Sequence, residues 1–145
     1  MKASRDVEYR IALAEGFLRE AEQDFELERW RSCVDNAQIA VENAGKTALA
    51  LFGIAPKTHD PARQIAVILN EWELSEEMAD LLNAMLPDLL TLGSETHFLT
   101  DYGDEVNYRL PWELFTRETA EDALQSARRL IGIAKELRNL SNKIT

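Results

Sequence analysis

Cysteine, glycine and long apolar runs are scarce in this chain of 145 residues. Its single cysteine, Cys33, excludes an internal disulfide and a cysteine-rich zinc site. The six glycines are scattered, which excludes a glycine-rich phosphate-binding loop. No apolar run is long enough to span a bilayer, and the polar start of the chain lacks the apolar core of a signal peptide. We therefore expect a cytoplasmic protein without a membrane partner.

Positive charge is scarce as well, since the chain has 16 lysines and arginines but 26 acidic residues, and its net charge is -10. Bulk electrostatics of this sign repel nucleic acids and anionic membranes, so any such binding requires a local basic patch. Most of the excess acid lies in residues 71–122, which would suit a basic surface on a partner protein. Residues 125–145 are basic instead. The favoured interpretation is that these cations lie at the C-terminus of a helix and offset its dipole; the alternative is that they contact phosphate.

Histidine is limited to His59 and His97. Neither has a glutamate three residues earlier, which excludes the Glu-x-x-His pairs of carboxylate-bridged di-iron bundles. No serine is grouped with a base in a way that suggests a hydrolase. We therefore expect neither a metal nor a cofactor.

What the sequence does contain is apolar residues at alternating spacings of three and four, which is the pattern of a helix with one buried face. This pattern predicts four main helices and one short helix after Pro61. Gly53 suits a helix C-cap, while Asp60, Ser75 and Thr116 suit N-caps. Pro87 should kink or split the helix that contains it. The sequence thus predicts one all-α domain over residues 1–145, an up-and-down bundle of four main helices plus one short helix.

The second helix is rich in small side chains and carries Glu42 and Lys46 one turn apart. Alanines on a contact face allow a neighbouring helix to approach closely. The acid and the lysine project from the same side and can form an ordinary intrahelical ion pair. In the alternative interpretation, Lys46 binds a phosphate while Glu42 holds it in place.

Residues 93–115 break the helical periodicity, so they are predicted to form a long loop, and long loops in compact domains are often functional. The segment contains Tyr102, Tyr108, Arg109 and Trp112. Three aromatic rings and a cation could stack on a base and contact a phosphate. They could equally anchor the loop on the bundle or contribute to a dimer.

Three stretches resemble the HEPN domain family, and together they cover most of the chain in the expected order. They are "NAQIAVENAGKTALALFG" in the second helix, "THDP" at residues 58–61, and "LTDYGDEV" followed by "LFTRETAEDAL". The resemblance implies a homodimer formed through the bundle, membership of a toxin–antitoxin pair and a minimal nucleotidyltransferase as partner. It also implies a nucleotide or RNA ligand, for which Glu42, Lys46, Tyr102 and Arg109 are the predicted binding residues.

Catalytic relatives in this family resemble metal-independent RNases that use an arginine and a histidine separated by four to six residues. Such a pair supplies proton transfer and a cation for the phosphorane charge. Here no arginine lies at that distance before either histidine, and Asp101 stands where the family commonly has arginine. We therefore expect a non-catalytic HEPN module, with an atypical RNase that uses His97 and Arg109 as the alternative.

Overall fold

The computed structural model describes residues 4–54 and 60–144. The described residues form seven helices and no strand, so the predicted all-α bundle is confirmed. The helices are α1 (Ser4–Glu26), α2 (Trp30–Leu51), α3 (Pro61–Glu71), α4 (Glu76–Thr91), α5 (Ser94–Tyr102), α6 (Pro111–Leu114) and α7 (Arg117–Ile144). The four main helices are α1, α2, α4 and α7. None of the helices in the described ranges is long and apolar enough to cross a membrane.

Helix α2 lies at the centre of the bundle, and its small side chains are used for close packing. Its alanines on the contact face are fully buried: Ala37, Ala40, Ala44 and Ala48. A Cβ atom added at Gly45 would lie 2.7 Å from Cγ of Pro61 and 2.9 Å from Cδ2 of Leu89. There is no room for a methyl group between α2 and the helices α3 and α4 at this point. Close helix packing, as the sequence predicts, accounts for this face.

The apolar stripes of the other main helices are also buried within the single chain. They include Val7, Ile11 and Ala14 of α1, Leu82, Met85 and Leu89 of α4, and Ala127, Leu130 and Leu137 of α7. These stripes cannot also form a dimer seam, because they are buried in the core of the single chain. A dimer would need a different, outward-facing surface.

Three ion pairs join α1 to α7. They are Glu8–Arg138 at 3.0 Å, Glu15–Lys135 at 2.7 Å and Glu22–Arg128 at 2.8 Å. Residue numbers rise along α1 as they fall along α7, so the two helices are antiparallel. The basic residues near the end of the chain are thus largely engaged by glutamates of α1.

A second electrostatic contact fixes α4 on α7. The Asp88 side chain is only 12% exposed, and its carboxylate accepts hydrogen bonds from Nε and Nη2 of Arg129 at 3.1 and 2.9 Å. The Ser126 hydroxyl donates to the same carboxylate at 2.8 Å. Donation of these hydrogen bonds to the Asp88 carboxylate, together with its negative charge, raises the pKa of the Arg129 guanidinium. A mostly buried acid is therefore fully paired at this contact.

The C-terminal end of α2 has the geometry that its glycine predicts. Gly53 adopts a φ of 73°, and its N–H donates to the carbonyl of Ala50 at 3.0 Å. The N–H of Ile54 donates to the carbonyl of Leu49 at 3.1 Å. These two bonds form a Schellman motif, which satisfies carbonyls that the helix leaves free.

The predicted N-caps differ in outcome. Ser75 accepts a hydrogen bond from the N–H of Met78 at 3.2 Å, which confirms it as the cap of α4. Thr116 accepts one from the N–H of Thr119 at 3.3 Å and so caps α7. Asp60 precedes α3 as expected, but its side chain makes no capping hydrogen bond.

The prediction of a loop over residues 93–115 is wrong, because α5 and α6 both lie within it. Helix α5 buries the polar Thr100 while it exposes Phe98 and Tyr102. It therefore lacks the apolar stripe by which a helix is recognised in sequence. Pro87 does not split α4, which continues to Thr91.

Candidate functional site

Helix α5 packs against the N-terminal half of α2 and places His97 between two carboxylates. Nδ1 of His97 lies 3.7 Å from Oδ1 of Asp35, and Nε2 lies 3.4 Å from Oδ2 of Asp101. The imidazole is about half exposed, at 47% of its side-chain area. The ring thus lies between two acids and remains accessible to a ligand.

Polar contacts behind the histidine hold α5 on α2. The Thr100 hydroxyl donates to the carbonyl of His97 at 2.7 Å and lies 3.2 Å from Oδ1 of Asp35. Nη1 of Arg31 donates to the carbonyl of Thr100 at 3.1 Å, and Nη2 donates to the Ser32 hydroxyl at 3.1 Å. Thr100 is fully buried, so this small helix is attached by hydrogen bonds rather than by an apolar face.

Sequence reasoning missed this cluster because it treated the segment as a loop. In a helix, His97 and Asp101 are one turn apart and face the same way. The signal that could have revealed the helix is the pair of flanking glycines, Gly93 and Gly103. Gly103 adopts a φ of 73°, and a Cβ there would clash with the carbonyl oxygen of Arg109.

The turn between α5 and α6 positions Arg109. Its backbone N–H and carbonyl pair with those of Asp104, both at 2.9 Å. Its guanidinium Nη2 donates to the carbonyl of Glu113 at 3.1 Å rather than contacting His97. Asp104 accepts a hydrogen bond from the side-chain amide of Asn107 at 2.8 Å, and this bond is the main cause that lowers the pKa of Asp104.

The same region exposes an unusual amount of apolar surface. Of the eleven large apolar side chains that are exposed in the described residues, six lie in residues 98–112, which we call the aromatic segment. They are Phe98, Tyr102, Val106, Tyr108, Leu110 and Trp112. Exposed apolar side chains grouped in this way make the segment a candidate contact surface.

Glu42 and Lys46 lie elsewhere on α2. Their charged groups are 3.1 Å apart, and their side chains are only 12% and 11% exposed. Eleven residues separate Lys46 from Asp35, which is about 16 Å along a helix axis. His97 lies beside Asp35, and the later Thr100 lies beside Arg31, so α5 runs toward the start of α2 and away from Lys46. The structure therefore does not bring Lys46 to the aromatic segment.

Cys33 is a buried thiol whose Sγ lies 3.9 Å from the carbonyl oxygen of Ala120. Burial, reinforced by the charge of Asp24, raises its pKa to about 12. It is therefore a poor nucleophile. In the described ranges, no cluster of three histidine, cysteine or acidic side chains could hold a metal ion. Thr58 and His59 of the "THDP" stretch lie outside the described residues.

Comparisons with known proteins agree with this architecture. The family model for the HEPN domain matches residues 7–137. A protein of Methanocaldococcus jannaschii named "Putative toxin MJ1304" is 25% identical over 141 residues, which span 90% of this chain and 91% of that protein. The crystal structure of TT1696 from Thermus thermophilus superimposes with a TM-score of 0.68 and 20% identity, over 90% of this chain and 97% of that one. The last likeness shows a shared fold.

Proposed function

Because the chain belongs to the HEPN domain family, we propose that it is the HEPN module of a toxin–antitoxin pair that binds a nucleotidyltransferase-type partner and a nucleotide. The main support for a protein partner is the aromatic segment, which exposes apolar side chains that a solitary domain would normally bury. The word toxin in the name of the Methanocaldococcus jannaschii relative supports the pairing.

The charge around the aromatic segment indicates what kind of surface it fits. Asp101, Asp104, Glu105 and Glu113 are interleaved with the exposed apolar residues. The one arginine of the segment, Arg109, donates to the backbone carbonyl of Glu113 and forms no ion pair with a carboxylate of the described residues. The partner surface should therefore combine an apolar centre with a basic rim.

A matched pair of valine substitutions tests the partner surface. Val106 is 86% exposed in the aromatic segment, whereas Val67 is 48% exposed on α3. Val106→Glu should abolish co-purification with the co-expressed minimal nucleotidyltransferase of the same genome, while Val67→Glu should leave the complex intact. Binding by the wild type should also weaken as salt concentration rises. A complex that survives Val106→Glu would refute the assignment.

The proposal of a nucleotide ligand depends on the residues predicted to bind it, which are Tyr102, Arg109, Lys46 and Glu42. Tyr102 and Arg109 are exposed and available, whereas Lys46 and Glu42 are mostly buried and ion-paired. Titration with nucleotides at millimolar concentration should show binding that Tyr102→Ala weakens. If no nucleotide binds and Lys46→Ala behaves like the wild type, the ligand half of the proposal fails.

A homodimer is the second assembly that we propose, and the outer face of α1 supports it. A groove of about 550 Å³ on this face is lined by Tyr9, Leu13, Gly16 and Phe17. Light scattering of the purified protein should give the mass of a dimer, and Phe17→Glu should give a monomer. A monomer at all concentrations of wild-type protein would refute it.

An RNase is the alternative function, and the specific observation in its favour is the position of His97 between two acids. A histidine positioned by carboxylates is suited to proton transfer. Purified protein would then cleave single-stranded RNA, and His97→Ala would abolish cleavage. Arg109 contacts Glu113 instead of His97, so Arg109→Ala should matter less. An absence of cleavage by the wild-type protein would remove this alternative.

A further inference from the structure

A cavity of about 440 Å³ opens between the α1–α2 turn and α6. Pockets for small ligands commonly range from about 300 to 1,000 Å³. Arg29, Arg31, Trp30, Trp112 and Phe115 line it. Two arginines and three aromatic residues thus line one concave surface of a strongly acidic protein.

Neither arginine of this cavity forms an ion pair with an acid among the described residues. Within the part of the chain that the structure describes, Arg29 has no hydrogen-bond or ion-pair partner for its exposed side chain. Arg31 donates only to uncharged oxygens, on Thr100 and Ser32, which fix its direction but leave its charge available. The acid in the wall, Glu28, is already paired at 3.1 Å with an arginine outside the lining.

The two tryptophan rings of the cavity differ in how many contacts they make with other side chains. One face of Trp30 carries the guanidinium of Arg117, 4.8 Å from the ring centroid, and its edge meets Phe25 at 5.2 Å between centroids. Trp112 is 70% exposed and makes no ring contact with another described residue. It therefore offers a free face on which a planar base can stack.

We propose that this cavity binds a nucleotide phosphate, with the base against Trp112 and the phosphate held by Arg29 and Arg31. Guanidinium groups form short, paired hydrogen bonds to phosphate oxygens. Trp30, Arg31 and Ser32, the first residues of α2, line the cavity, so the partial positive charge of this helix N-terminus lies beside it. The inference rests on the nucleotide ligand of the proposed function, but it competes with the placement at Lys46, Tyr102 and Arg109, none of which lines the cavity. If the cavity is the site, Tyr102→Ala leaves nucleotide binding unchanged.

Arg29 provides the sharpest variant, because removal of its unpaired side chain should not disturb folding. Adenosine monophosphate is titrated into the full-length protein while tryptophan fluorescence is recorded. Binding should quench the fluorescence, and Arg29→Ala should weaken binding roughly tenfold, the effect of losing one charged hydrogen bond. Arg63→Ala, which removes an exposed arginine of α3, is the matched control and should bind like the wild type.

A second variant pair tests the stacking. Trp112→Leu should weaken binding and remove most of the quenching, whereas Trp72→Leu, at the end of α3, should change neither. If the nucleotide binds and is affected by Tyr102→Ala or Lys46→Ala but not by Arg29→Ala, the cavity is refuted while the nucleotide ligand stands. If no nucleotide or oligonucleotide binds, both are refuted.

Three further probes separate the sources of the ligand. Inorganic phosphate should compete weakly, and equal competition would refute the role of the aromatic rings. Adenosine without phosphate should bind far more weakly than the monophosphate. An oligoadenylate with a 5′-phosphate that binds more tightly than the free monophosphate would identify an RNA end as the source. The reverse order would identify a free nucleotide, and both orders support the site.

Discussion

Replacing Gly45 by alanine provides the most direct test of the central packing. Glycine inside a helix normally costs about 1 kcal/mol relative to alanine, so the substitution would be stabilising at an open position. Here the new Cβ would meet Cγ of Pro61 at 2.7 Å and Cδ2 of Leu89 at 2.9 Å. The leucine can rotate away, but the proline ring is rigid and begins α3. The helices α2 and α3 would therefore have to move apart.

The sign of the effect follows from comparing three contributions. The higher helix propensity of alanine stabilises the folded state by about 1 kcal/mol, and burial of its methyl group adds about 0.8 kcal/mol. Overpacking of a well-packed core costs about 1–3 kcal/mol, and contacts this short with a rigid ring put the cost at the upper end. We expect Gly45→Ala to lower the free energy of unfolding by about 1 kcal/mol.

Gly132 of α7 is the matched control, because a Cβ added there meets nothing within 4 Å. Gly132→Ala should raise the free energy of unfolding by about 0.5–1 kcal/mol. Urea denaturation followed by circular dichroism gives both values, provided that the slope with denaturant is unchanged. The reasoning is refuted if Gly45→Ala proves as stable as Gly132→Ala.

Three other predictions follow from buried groups and caps. Arg129→Met should lower the free energy of unfolding by about 1–3 kcal/mol, since the mostly buried Asp88 carboxylate keeps only Ser126 as a partner; a loss below about 0.5 kcal/mol in chemical denaturation would count against it. With its pKa raised from 9.0 to about 12, Cys33 should react with a thiol reagent at pH 8 about a thousandfold more slowly in the native protein than in urea, and rapid native labelling would contradict this. Ser75→Ala should cost about 1 kcal/mol through loss of the α4 cap, measured by thermal unfolding, whereas an unchanged melting temperature would show that the cap contributes nothing.

The sequence predicted the bundle well where its physical signals are local. The alanines of α2 and the apolar stripes of the main helices report burial directly through their spacing. Gly53 ends α2 through its backbone conformation, and Ser75 begins α4 through a single hydrogen bond. Both effects depend on neighbouring residues alone.

The candidate site was harder to predict because it depends on contacts between distant segments. His97 and Asp35 are far apart in sequence and meet only because α5 packs on α2. Helix α5 is held through Thr100, a polar residue that sequence patterns assign to a surface. The stretch "RWRS" at the start of α2 is the one local sign of the arginine–tryptophan cavity, and the cavity forms only because Trp112 of α6 packs near it.

The three ion pairs between α1 and α7 have a consequence for how the bundle finds its register. The glutamates recur every seven residues on α1, and Arg128 and Lys135 are also seven residues apart. If α7 slid by seven residues, about 10 Å, two cation–carboxylate pairs could form again with shifted partners. The ion pairs therefore discriminate poorly between the native and the slipped register. Packing of small against large side chains in the core must make the slipped register less stable. Added salt should loosen the two helices without changing their alignment, whereas altered side-chain volumes along α7 could let them settle one step out of place.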